Sequence, residues 1–113
     1  MNLKLRRAFK NEMDLAKKEY LASNYPECFK HLERAHILGQ SYIIPHTKSH
    51  WWMLKVGCKT SNFREVFGQT TRIIASIIFS RIWVPMGNTG GANVSPIKPM
   101  KIPRDLQTYL DQK

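Results

Sequence analysis

SNYPECF at residues 23–29 returns as SNFREVF at residues 61–67, an offset of 38 positions. In each copy an asparagine (Asn24, Asn62) stands three residues before a glutamate (Glu27, Glu65). That is the spacing of a capping box, where the first side chain accepts an orphan helix N–H and the second reaches back. Each copy therefore predicts a turn opening into a helix. Cys28 becomes Val66, Phe29 becomes Phe67 and Arg34 becomes Arg72, so the equivalence runs through polar, apolar and basic positions together. Pro26 fits the first turn, where the missing N–H costs nothing. A repeat of about this length, built of helix, capped turn and helix, is the mark of α-hairpins stacked side by side.

Working outward, Met13, Leu15, Ala16 and Tyr20 recur at helical spacing and predict a helix over 8–22, after a basic lead-in at 1–7. The second helix runs over 26–38, with Gly39 as a left-handed stop. Pro45 opens a third helix over 45–58, and the fourth covers 63–82. The fold class is thus all-α: two stacked helical hairpins forming one domain over residues 1–113. Past Val84 the helical period ends. Residues 84–113 form an extended Pro/Gly-rich strap in which Arg104 to Leu110 closes as a short helix. Ile97, Met100 and Ile102 on that strap are expected to lie across the helices and cover apolar surface. The GNTGGAN segment at 87–93 lacks the glycine spacing and preceding strand of a phosphate-binding loop, and reads as a structural turn.

The chain of 113 residues is 42% hydrophobic and 23% charged, a globular balance with enough length for one modest core. Eighteen Lys and Arg against eight Asp and Glu give a formal charge of +10. Such a charge suits an acidic protein partner. The basic residues are dispersed rather than clustered, which argues against nucleic acid as the main partner without removing it. Two cysteines make no secreted disulfide framework. Charges interrupt the N-terminal stretch where a signal peptide would be apolar. The apolar run from Ile73 to Met86 is interrupted by Arg81 and falls short of the roughly 20 residues a membrane span needs. The expected location is the cytoplasm.

All four histidines fall between His31 and His50. On the third helix, at about 100° per residue, His46 and His50 share a stripe with Met53 and Gly57. That stripe faces the other helices, while Lys48 and Lys55 point away. On the second helix His36 lies on one shoulder of the apolar stripe of Cys28, Leu32 and Ala35, and His31 on the other. Residues equally far from the turn of an antiparallel pair come level, which places His36 between His46 and His50. Neutral imidazole is the common nitrogen ligand of zinc, nickel, cobalt and copper. The candidate ligands are His36, His46 and His50, with Glu33 or a water as fourth partner and His31 as an extra ligand or an orienting neighbour. The competing reading is structural: each ring satisfied by a hydrogen bond, in an adaptor that holds an acidic protein or peptide. Cys28 and Cys58 align with Val66 and Tyr20 in the repeat, which are apolar slots. Trp51 and Trp52 cannot both face inward from adjacent helix positions, so one of them marks a surface or packs under the strap. No catalytic set is legible beyond the metal site. A metal-dependent enzyme would have Glu33 as its candidate acid or base, and no organic cofactor is implied.

HLERAHILGQ at 31–40, HTKSHWWML at 46–54, REVFGQ at 64–69 and VPMGNTGGANVSPIKPMKIPRDL at 84–106 resemble a small bacterial family catalogued as a domain of unknown function. The resemblance spans most of the chain and is most specific in GNTGGANVS. It implies a single-domain bacterial protein, with family histidines at the positions of His31, His36, His46 and His50. The helical part also resembles tetratricopeptide repeats through the small–large–small pattern of Cys28, Leu32 and Ala35.

Overall fold

A computed structural model describes residues 1–79 and 100–111. Five helices follow one another: α1 (Leu3–Leu21), α2 (Tyr25–Gly39), α3 (Ile43–Lys59), α4 (Phe63–Phe79) and α5 (Arg104–Leu110). No strand occurs among the described residues. α1 packs along α2 and α3 along α4, giving two antiparallel hairpins, and α2 lies against α3 to join them. α5 returns to α1 and α2. The segment of the strap with GNTGGAN and Ile97 lies outside the described residues. Of its other apolar residues, Ile102 packs against the core and Met100 is half-buried.

The internal repeat is visible atom for atom in the two hairpin turns. Ser23 and Ser61, equivalent positions, both adopt positive φ, at 59° and 55°. Asn24 N–H donates to the Glu19 carbonyl and Asn62 N–H to that of Gly57, both at 2.9 Å. Ser23 and Ser61 donate to the carbonyls of Tyr20 and Cys58. This is the Schellman arrangement, which spends the orphan carbonyls at a helix end. The two capping boxes are not equivalent, however. Asn62 Oδ1 accepts from the Glu65 N–H at 3.1 Å, whereas Asn24 makes no side-chain cap. Pro26 removes one of the N–H groups such a cap would take, and Asn24 sits at ψ 73°. Asn2, extended at ψ 166°, does cap its helix by accepting from Leu5 N–H at 2.8 Å. This cap starts α1 five residues before the sequence-derived boundary.

Gly39 is also a correction. It lies within α2 and is not a left-handed stop. A Cβ there would come within 2.7 Å of Pro45 Cβ and 3.0 Å of Phe9 Cε2, so glycine allows α1, α2 and the start of α3 to meet. Pro45 itself stands third in α3, still within the first turn, where its missing N–H is harmless.

The core is one stripe from each helix. Leu5, Phe9, Met13 and Ala16 line α1, Cys28, Leu32, Ala35 and Leu38 line α2, and Met53 and Val56 come from α3. Leu106 of α5 is inserted among them. Each large side chain so buried contributes roughly 1.5–3 kcal/mol. A polar tie crosses the same helices. Glu12 of α1, buried, accepts from Arg34 Nε at 2.9 Å, and its other oxygen meets His31 Nδ1 at 2.8 Å. Arg34 also pairs with Asp105 of α5. That pairing raises the Arg34 pKa and holds the Asp105 carboxyl below its usual range.

Candidate metal centre

His46 and His50 are one turn apart on α3, on the stripe with Met53, and α2 carries His36 across from them. All three rings are buried, at 8%, 2% and 3% exposure in that order. Their Nε2 atoms converge: His36 to His50 is 3.1 Å, and His46 to His50 is 3.0 Å. The ring centroids form a nearly equilateral triangle, with sides of 4.8, 4.6 and 4.7 Å. Among the described residues this is the group of side chains whose ligand atoms all lie within 4.8 Å of one another.

The protonation of His50 follows from its neighbours. Glu65 is a carboxylate acceptor and takes a hydrogen bond from Gln69 Nε2 at 2.7 Å. That contact turns Gln69 Oε1 toward His50, 2.5 Å from Nδ1. An amide oxygen only accepts, so His50 Nδ1 carries the proton and donates, and the Nε2 lone pair of the neutral ring faces the other two histidines. Gln69 is fully buried and Glu65 nearly so. The relay runs from Asn62 through the Glu65 backbone to its carboxylate, then Gln69 and His50. A residue of the repeated turn thus ends by orienting an imidazole. Gln69 was missed in the sequence because nothing in the REVFGQ stretch distinguishes an inward glutamine from a surface one.

Burial lowers the His46 pKa to about 4. His50 is lowered to about 3, by burial first and then by the charges of His46 and Arg72, with the Gln69 bond acting the other way. Both rings are therefore neutral at pH 7, the form that coordinates a cation. His46 Nδ1 is buried and has no hydrogen-bond partner among the described residues. The His50 lone pair thus faces two other Nε2 atoms, and His46 Nδ1 is the atom of the cluster left without a hydrogen bond among the described residues.

The remaining sequence candidates sit elsewhere. His31 is paired with Glu12 on the α1 side of α2, and neither it nor Glu33 belongs to the convergent group. Glu33 is half-buried on α2. Cys28 is buried and its thiol is pushed up to about 11, by burial first and then by Glu19. It is therefore a neutral packing group, and Cys58 is exposed.

Fold and site together define a small all-α protein of two helical hairpins with a buried triad of histidines at their junction. Residues 3–110 match the family described as "Protein of unknown function (DUF3703)", and the chain belongs to that family. No curated protein and no solved structure matches it. Among the described residues no helix is long and apolar enough to cross a membrane.

Proposed function

We propose that the protein binds one divalent transition-metal ion through Nε2 of His36, His46 and His50, for storage, sensing or delivery. The observation that carries this is the convergence of three buried imidazole nitrogens. Tetrahedral zinc, with Zn–N bonds of about 2.0–2.1 Å, holds its nitrogens about 3.3 Å apart. The observed 3.0 and 3.1 Å separations differ from that by a few tenths of an ångström, a movement within reach of small ring rotations. Gln69 holds His50 as histidine ligands are usually held, through the nitrogen that does not coordinate. Glu65 behind it offsets part of the cation's charge. Three imidazole nitrogen donors suit zinc, cobalt, nickel or copper and offer little to magnesium or calcium. The fourth position falls to water or a donor carried in with the cargo, since neither Glu33 nor His31 joins the triad.

Metal analysis of tag-free protein dialysed against zinc or nickel tests this reading. One ion per chain is expected, with loss of the ion in His46→Ala/His50→Ala. Gln69→Leu keeps all three ligands but frees His50, and should weaken binding about 10–100-fold. Absence of stoichiometric metal, together with an unchanged melting temperature on adding zinc or nickel, would refute it. The cluster would then be a hydrogen-bonded knot in the core.

A further inference from the structure

α3 has two working faces. His46, Ser49, His50 and Met53 look into the bundle, while Ile44, Lys48 and Trp51 lie on the opposite side, at about 160°, 200° and 140° from His46. That outer face forms one wall of an open groove of about 910 Å³, and the flank of α1 that carries Arg6, Lys10 and Lys17 beside the core stripe forms the other. Phe9, Met13 and Pro45 line it, together with the exposed side chains of Tyr42, Ile44 and Trp51. Trp51 is 53% exposed and Ile44 67%, a large apolar area left open beside a packed core. Trp52 closes one end, held edge-on to Tyr20 with Lys55 Nζ 3.9 Å from its ring centroid.

Charge identifies the occupant. Arg6 and Lys17 along α1 and Lys48 on α3 border the groove, and between them Lys10 is paired with Asp14 at 2.7 Å, the one carboxylate among the described lining residues. The cations do not converge on a point, as they would around a small anion. They are strung from Arg6 to Lys17, about 17 Å at 1.5 Å per residue, the length of a three-turn helix. Trp52 is already covered by Tyr20 and Lys55, and Phe9 and Met13 are buried, which leaves Tyr42 and Trp51 rather than the succession of open ring faces on which single-stranded bases stack. We propose that this groove receives an acidic amphipathic helix of a partner protein, its apolar side chains against Trp51 and Ile44 and its carboxylates along the two basic rims. This goes beyond the metal reading and does not rest on it.

The test is selection from a displayed library of helical peptides on tag-free protein, with Trp51→Glu as counter-selection. Enriched peptides are then synthesised and titrated against Trp51→Glu and Lys48→Glu, both changes at exposed positions. Expected are sequences with apolar residues at i, i+3 or i+4, and i+7, flanked by Asp or Glu. Their affinity should drop at least about tenfold in each variant and weaken as salt shortens the screening length. Far-UV circular dichroism and zinc uptake should match the parent, which separates this outcome from the fate of the histidine site. Three results would overturn the proposal: no enrichment over Trp51→Glu, enriched peptides without acidic residues, or tighter binding of an oligo-dT 15-mer that Trp51→Glu abolishes. Should Trp51→Glu unfold, Lys48→Glu alone decides, because retained affinity there removes the basic rim from the recognition.

Discussion

At the residue scale the chemistry depends on a few buried polar groups that cannot leave their helices. His46 and His50 are neutral because water has been taken from them, with folded pKa values of about 4 and 3 against 6.5 for a free ring. The groups facing His50 act together: His46 from its own helix and Arg72 from α4 oppose its charge, and Gln69 from α4 favours it. His36 from α2 meets it at Nε2. A base whose folded pKa is depressed binds fewer protons folded than unfolded, so stability falls as the medium is acidified. The metal-free protein should be at full stability above about pH 6.5. Between pH 6.5 and 5 each ring should cost on the order of 2 kcal/mol, with the decline ending near the folded values. Urea midpoints at pH 7 and pH 5 check this. In His46→Gln/His50→Gln the fall across that interval should be largely removed, and an unchanged fall would assign the acid sensitivity to other groups.

At the element scale, the hairpin turns and the helix crossings do different work. Ser23 and Ser61 take a backbone conformation that side chains disfavour, because two Schellman bonds at each turn hold them there. Gly39 shows the opposite case, a glycine that is helical and chosen for space. Gly39→Ala brings a methyl group within 2.7 Å of Pro45 Cβ, and neither a proline ring nor the buried Phe9 moves aside freely. The helix propensity gained is about 1 kcal/mol, while overpacking costs about 1–3 kcal/mol. A net loss of up to about 2 kcal/mol is expected in denaturant unfolding, with Ser23→Gly as the contrasting change that leaves stability equal or higher. Gly57 plays a milder version of the same part, a Cβ there meeting Glu65 Cβ and Val66 Cγ2 at 3.3 Å. That close approach of α3 to α4 brings Gln69 within reach of His50.

At the scale of the whole molecule, the two hairpins and α5 are held by a continuous core and by the Glu12–His31–Arg34–Asp105 tie. Arg34→Ala leaves the nearly buried Glu12 carboxylate with His31 alone, and should cost about 1–3 kcal/mol. Asp105→Ala removes a contact to an exposed carboxylate and should cost under about 1 kcal/mol. Equal losses in the two variants, measured by thermal unfolding, would show that the tie acts only through α5. The all-helical class and the two hairpin turns were legible in the sequence because both signals are local. Helical periodicity and a recurring seven-residue stretch depend on near neighbours along the chain. For the same reason His36, His46 and His50 could be ranked above His31 from helix geometry and distance to the turn. Other features depended on packing between distant segments. Gly39 acting as a spacer, Gln69 setting the His50 tautomer and Glu12 claiming His31 all require knowing which helix face meets which. A sequence pattern specifies where a side chain leaves its own helix. Only the crossing of helices, set by the volumes of Gly39, Gly57 and their neighbours, decides which nitrogen or carboxylate it finds there.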